Sequence, residues 1–449
     1  MDPQQLSTMA KKFQSVLDAD VLHERGKQLD LLKRERLITP CRLGLSVVAS
    51  MATQQVQSIA DLHRQFNELW ELESEYNAFY NQLLKPSSPA CFRTSLCHIM
   101  SQLTRKVLGC EAEQAFSAFN RFILQDGSSF ALHEALADVF PGRFNAVSPA
   151  AVELHCTLDV LQDAPITIAL SPDTDAEHDY RPEPESLRGD VFLADRGYLD
   201  LTSLRDIGRH GGFCIVRSTS HLNPRVIDAS REDGQRSTSC QDRDFQAIIS
   251  KFPKRQRAEL DVEWLIEGEP FRLRLIVRWN PQTTCFDDLL TNLPQDRYTI
   301  RMICLAYKLR WQVELLFKEW KSYTNLHKFD TEKATIAEAL IWASLAASAL
   351  KRFLAHAAEH LLEVAISTRK ASMPSASDLP ELFRALRHGD GPWYRRAFKA
   401  IIHYLGRNAK RAHPERDART GRSRLGRKPI FQLSDQKALT DNGEQPAAA

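Results

Sequence analysis

The sequence predicts a mixed α/β fold: one mixed β-sheet flanked by helices, a β-rich insertion, and helical regions at both ends of the chain. Three observations predict it. From Arg121 to about Ser220, apolar runs of strand length follow one another between turn residues, with one helical segment among them. A second strand-rich stretch occupies about Ser220 to Pro294. Both flanks place apolar residues at helical spacing.

Residues 1 to about 85 read as helical, with Leu45, Val48 and Met51 on one stripe and Ile59, Leu62, Phe66 and Leu69 on the next. Ser58 is placed to N-cap the second of these helices. The polar turn TQQVQS between them permits a DNA-binding helix-turn-helix or an ordinary αα-hairpin. KPSSP, Lys85 to Pro89, reads as a linker, and helix resumes to about Asn120. RFILQDGSSFALH, VSPAAVELHCTLDVL and APITIALS then read as three strands, VFLA as a fourth, Leu201 to Gly208 as a helix and GFCIVRST as a fifth strand. That order belongs to a ribonuclease H-like sheet.

In the insertion, LDVEWLI, the turn EGEP and FRLRLIVRW form a hairpin. Phe271, Leu273, Leu275, Val277 and Trp279 share one face, with Arg272, Arg274 and Arg278 on the other, facing solvent in preference to DNA. TIRMICLAYKLRWQVELLFKEWKSYT reads as one uninterrupted helix of about 24 residues without Gly or Pro. More helices run to about Leu405, broken at STRKASMPSASDLP. The expected division is a helical DNA-binding region at 1–118, a catalytic domain at 119–355 with its insertion at about 220–294, a helical region at 356–406 and a basic tail at 407–449.

The 449 residues are 43% hydrophobic and 26% charged, as in an ordinary soluble protein. Formal charge is +2, but residues 407–428 alone carry +7, leaving −5 for the rest. Such a tail suits a polyanion, or is simply solvated. Nine scattered cysteines without a Cys-x-x-Cys predict neither disulfides nor zinc, and a reducing cytoplasm. The N-terminus lacks a signal-peptide core. The apolar run Ala339 to Leu350 is shorter than the ~20 residues of a membrane span and reads as a buried helix.

On the long helix, Tyr307, Arg310, Glu314 and Lys321 fall within about 60° of one another at about 100° per residue. Leu309, Val313, Leu316, Phe317 and Trp320 form the apolar stripe that would seat the helix on the sheet. A charged stripe is more often only a solvated surface. Asp126 and Asp195 change that balance, because each follows an apolar strand, FIL or VFLA, that can aim a carboxylate at the helix. Either aspartate alone would more often be a cap. Together with Glu314 they offer the oxygen ligands that Mg²⁺ prefers, and phosphoryl transfer employs two such ions about 3.5–4 Å apart.

Tyr-x2-Arg-x3-Glu-x6-Lys at Tyr307, Arg310, Glu314 and Lys321 resembles the signature of DDE transposases of the insertion sequence four group. DLLTNLP resembles the strand that leads into it, LADRGY around Asp195 the second-aspartate motif, and LQDGSS around Asp126 the first; Ser128 and Ser129 stand where many relatives have threonine. Asp138 and Asp159 are alternatives for the first aspartate. The resemblance spans about residues 30–350. It implies a ribonuclease H-like fold with a β insertion between Asp195 and Glu314. It also implies cut-and-paste transposition through a DNA hairpin, two Mg²⁺ ions (or Mn²⁺) on Asp126, Asp195 and Glu314, and a homodimer assembled on double-stranded DNA. Tyr307, Arg310 and Lys321 would hold phosphates; by its own density of charge, the basic loop KFPKRQR (Lys251, Lys254, Arg255, Arg257) is a further phosphate-contact candidate, and Arg196 is a further DNA contact. A tryptophan of the insertion, Trp279 or Trp264, would stack on a flipped base. No membrane is expected, and the location implied is the bacterial cytoplasm at the nucleoid. A non-catalytic DNA-binding regulator and a structure-selective nuclease are the competing readings.

Overall fold

A computed structural model describes residues 2–31, 37–53, 56–103, 118–144, 146–232, 234–252, 254, 257–281, 283–324, 326, 331–373, 379–387 and 391–414. The chain opens with α1 (Pro3–Val16), α2 (Ala19–Gln28), α3 (Pro40–Ala52), α4 (Ile59–Trp70), α5 (Tyr76–Leu83) and α6 (Ser88–Gln102). Ser58 caps α4 through a reciprocal capping box with Asp61. The expected linker at Lys85–Pro89 is instead the turn that starts α6. Pro89 sits in the helix's first turn, where its missing N–H costs nothing, and Ser88 and Pro89 are both buried.

Next come β1 (Phe122–Ala131), β2 (Pro141–Phe144), β3 (Ser148–Asp159), β4 (Ala164–Pro172), β5 (Val191–Ala194), α7 (Leu201–Arg209) and β6 (Phe213–Arg217). β4, β3 and β1 pair antiparallel, while β1, β5 and β6 pair parallel. The order β4-β3-β1-β5-β6 is the ribonuclease H arrangement, with α7 making the crossover that parallel neighbours require.

The insertion adds β7 (Arg225–Arg231), β8 (Arg243–Asp244), the short α8 (Phe245–Ile248), β9 (Ala258–Ile266), β10 (Glu269–Asn280) and β11 (Cys285–Thr291). It extends the same sheet rather than forming another, because β11 pairs with β6 at Thr291↔Ile215 and Leu290↔Val216. The β9–β10 hairpin turns on Glu267 and Gly268, both at positive φ, as a two-residue turn demands.

One expectation for this hairpin is corrected. Arg274 does not face solvent: it is 6% exposed, paired with Glu259, and its guanidinium donates to the carbonyls of Leu293 and Tyr298. The chain leaving β11 folds over that part of the strand, and buried donors need such acceptors.

The expected 24-residue helix is divided. α9 (Ile300–Tyr307) and α10 (Trp311–Tyr323) are joined by a 3₁₀ turn at Lys308–Arg310, which tightens the winding just before Glu314. α11 (Ala334–Leu362), α12 (Thr368–Ser372), α13 (Leu379–Arg387) and α14 (Pro392–Asn408) follow; α12 forms within the STRKAS segment read as a break. By length and composition α11 could cross a membrane, but it is the buried axis of a bundle. α3 and α6 from one end of the chain and α12 and α14 from the other pack on it. This bundle shares one hydrophobic core with the sheet face carrying Leu124, Leu154 and Leu193; Ile123, Phe192 and Val216 face a second core with the insertion.

A buried ionic node ties α10 to α11. Arg352 bridges Glu319 at 2.5 Å and Asp163 at 2.6 Å, and Thr368 donates to Glu319 at 2.6 Å. Breaking such a node is destabilising, because it strands a buried charge.

Candidate active site

β1 and β5 run in parallel register through Gln125↔Ala194. The next residue along each chain is an aspartate, so Asp126 and Asp195 stand side by side where the parallel β1–β5 pairing ends, at the carboxyl end of β5, the usual place for a site in an open α/β sheet. β5 ends there because Asp195 accepts from the Arg196 N–H at 2.8 Å and caps a 3₁₀ turn over Arg196–Tyr198. β1 continues with β3 as its partner.

α10 crosses at this end and brings Glu314. The Arg310 guanidinium lies between the first and third carboxylates, 3.2 Å from Asp126 Oδ2 and 2.5 Å from Glu314 Oε1. Arg217, at the end of β6, stands 3.7 Å from Asp195 and 2.6 Å from Asp287. Burial pushes the Asp126 carboxyl up to about 7, against the pull of Arg310 and the Gly127 N–H. Among the described residues no three His, Cys, Asp or Glu side chains close on one point. A cation already stands between Asp126 and Glu314, however, and the hard oxygen donors suit Mg²⁺.

Gly127 is needed for space. A Cβ there would collide with the Glu153 carboxylate and lie 3.2 Å from the Tyr198 hydroxyl. Glu153 is buried, and burial, reinforced by Glu177, pushes its carboxyl up to about 7. Neither Glu153 nor Tyr198 stood out in the sequence, where Glu153 is one polar residue in a strand that looks buried on both sides.

The other predicted positions divide. Lys321 Nζ donates to the Ser129 carbonyl at 2.6 Å, two turns along α10 from Glu314. Tyr307 is buried, its hydroxyl 3.5 Å from the Ala194 carbonyl, and its ring lies under Arg278 at 5.7 Å. Arg196 is exposed beside Asp195. Asp159 instead accepts from the Leu161 N–H at the far end of β3, and Asp138 is exposed in the turn before β2. Arg255 and the tail beyond residue 414 lie outside the described residues.

The two tryptophans also part company. Trp264 packs near Phe271 against the insertion's core. Trp279 stands at the other end of β10, with Phe286 edge-on at 5.1 Å and Lys254 Nζ 4.2 Å from its ring centre. It lines a cavity of about 440 Å³ together with Lys254, Arg257, Arg278, Arg301 and Lys308. Asp287 links this cavity to the carboxylates, since it pairs with both Arg217 and Arg278.

The sequence profile of the "Transposase DDE domain" family matches residues 117–350, just over half of the chain. The chain belongs to that family. The transposase is similar to that of insertion sequence element IS231B from Bacillus thuringiensis subsp. berliner, 20% identical over 372 residues, 74% of this chain and 76% of that protein. It resembles the IS231F transposase of B. thuringiensis subsp. israelensis at 21% over 387 residues, 77% and 79% of the two chains. A piggyBac transposase, solved by cryo-EM in a synaptic complex with hairpin DNA, matches with a TM-score of 0.46 and 12% identity over 89% of this chain and 85% of that one. By the family match and these sequence relatives, the protein is a bacterial insertion-sequence transposase, an enzyme that cuts and joins DNA, and its family normally uses divalent metal.

One neighbour of the transposase's site has a measurable effect of its own. Burial, with Asp287 adding repulsion, pushes Asp288 up to about 7, and its Oδ1 has no hydrogen-bond partner. A carboxyl whose folded pKa is raised contributes stability below its unfolded pKa near 4 and loses it as pH rises toward 7. Asp288→Asn removes that loss. Chemical denaturation should show the variant more stable than wild type by on the order of 2–4 kcal/mol at pH 8, with the gap closing at pH 4. A gap independent of pH would mean that Asp288 stays ionised.

Proposed function

We propose that this transposase moves its element by cut-and-paste, as a hairpin-forming member of the insertion sequence four group, with Asp126, Asp195 and Glu314 holding two Mg²⁺ ions, or Mn²⁺ in their place. The observation that supports this reading is the Arg310 guanidinium held between the carboxylates of Asp126 and Glu314, with Asp195 following the β5 strand that runs in parallel register beside β1. Bound there, the ions would polarise the scissile phosphate and help to generate the attacking oxygen.

The chain's own groups do the rest. Arg310 is placed to pass from the carboxylates to an incoming phosphate, for which its fork is suited, while Lys321 offers a point charge further along the strand. Tyr307 adds a hydroxyl beneath them, and Arg196, Lys254 and Arg255 are positive contacts on the flanking DNA. Trp279, open to the basic cavity, is the better candidate for stacking on a flipped base, with Lys254 at its ring to meet the phosphate.

The helical region at 1–118 is read as recognising the element end, and a homodimer as the form assembled on DNA, acting at the nucleoid in the cytoplasm. The outer positions of α4 include Arg64, paired with Asp61, and Glu68, paired with Arg384.

The test is to incubate the full chain with a duplex containing the element end and a second target duplex. With Mg²⁺, nicked, hairpin and joined products should appear in that order on a denaturing gel, and EDTA should remove all three. Binding without cleavage would favour a non-catalytic regulator. Cleavage without joining would favour a nuclease.

A further inference from the structure

We propose that the outer face of α14, continued through Lys410, Lys370 and Arg369, is a second track for duplex DNA that leads away from the catalytic helix. Residues Pro392–Arg411 contain six cations and no carboxylate. On the 17-residue α14, Trp393, Arg396, Lys399, His403, Tyr404 and Arg407 fall within a sector of about 140°. Trp393 is 43% exposed and Tyr404 41%. Among the described residues, Arg395, Arg396, Lys399 and Arg407 are not held by any carboxylate. A solvated helix face ordinarily mixes both signs, so a face whose charged residues are all cationic fits a polyanion.

The other side of α14 decides which polyanion. Tyr394 and Phe398 are fully buried; the Tyr394 hydroxyl donates to the Ala10 carbonyl at 2.7 Å, and Phe398 lies 5.9 Å from Phe13. A helix that binds a membrane surface must present its apolar face, and here that face is committed to the bundle. Phosphates of duplex DNA need only the charged side.

The track connects to the site. The Ser367 N–H donates to the Ala409 carbonyl at 2.8 Å, which sets the start of α12 against the end of α14. Lys370 Nζ donates to the Lys410 carbonyl at 2.9 Å, and Arg369 Nε to the Tyr323 hydroxyl at 3.3 Å. Tyr323 ends α10, two residues past Lys321. The helix that carries Glu314 therefore passes directly into this basic surface, and α14 extends it by about 25 Å at 1.5 Å rise per residue. Contacts of this kind grip the backbone without reading sequence, so the ligand is duplex DNA of any sequence, flanking or target.

The proposal deepens the reading above, from which it takes DNA as the ligand. Its test uses the full chain with Arg395, Arg396, Lys399 and Arg407 all changed to Gln, and a duplex lacking element ends. Affinity should fall about tenfold or more, and the log–log salt slope should shrink by about 3.6, near 0.9 for each of the four lost phosphate contacts. Arg369→Gln with Lys370→Gln should give a smaller shift of the same sign. Should the fourfold variant fail to reach the wild-type melting temperature, Arg396→Gln with Lys399→Gln supplies the comparison, with about half the slope change. An unchanged slope in a folded variant overturns the proposal. So does wild-type protein that prefers phosphatidylserine vesicles to duplex. Cleavage of a short element-end oligonucleotide, measured on the same samples, reports on the catalytic reading separately.

Discussion

Glu314→Ala, Asp126→Ala and Asp195→Ala should each abolish cleavage of element-end DNA while leaving the fold and end binding in place. Each carboxylate stands where the parallel β1–β5 pairing ends or on the helix that crosses there, and none fills the core. The fall in nicking rate should exceed about a thousandfold, since even one preorganised charge-stabilising donor is worth roughly 10²–10³. Asp126 offers a second readout. Its carboxyl is held up near 7 by burial, so the ionised form burdens the fold above that pH, and Asp126→Asn should not lower the melting temperature at pH 8. Single-turnover nicking and thermal melting on the same samples measure both. A variant at Asp126 that still nicks at near wild-type rate removes it from the proposed trio, and with Asp159 turned to the far end of β3, Asp138 would be tested next.

Lys321→Ala should separate two steps that Glu314→Ala blocks together. The two residues are about 10 Å apart along α10 at 1.5 Å per residue, and Lys321 reaches the Ser129 carbonyl beyond the carboxylates rather than among them. On the proposed mechanism, nicking would require the three carboxylates and one held phosphate. Hairpin formation bends a strand back on itself and needs further cations against phosphate repulsion. Lys321→Ala should therefore accumulate nicked DNA with at least a tenfold lower yield of hairpin, a size consistent with loss of about 1.4 kcal/mol. With each strand labelled in turn, a denaturing gel distinguishes the species. If both variants stop before the nick, Lys321 acts inside the catalytic centre.

Much of the site was legible locally because the relevant signals are local. FIL before Asp126 and VFLA before Asp195 mark strands by run length and composition, and both aspartates emerge where those strands lose their pattern. The spacing of Tyr307, Arg310, Glu314 and Lys321 needs only the period of a helix. The hairpin turn was equally readable, because Glu267-Gly268 is a sequence solution to a positive-φ requirement. Arg274 was misread for the opposite reason: alternation places it on the polar side of its strand, and nothing in the strand tells that the chain after β11 returns to cover it.

The sequence by itself determined the main strands and helices, though not the 3₁₀ break before Glu314, the start of α6 at Ser88 or α12, and it determined the order of the first five long strands and which carboxylates and cations are candidates for chemistry. These follow from periodicity and from spacing within a single element. Only the tertiary structure decided that the insertion continues the central sheet, that helices from both ends of the chain share α11 as their axis, and that Arg310 lies between Asp126 and Glu314 while Arg217 faces Asp195. It alone set Gly127 against Glu153, and the exposed cations of α14 beside the end of α10. Apart from Arg310 and Glu314, one helical turn apart, those pairings join residues tens to hundreds of positions apart. They depend on strand register and on the packing of whole faces, which no local pattern of residues encodes.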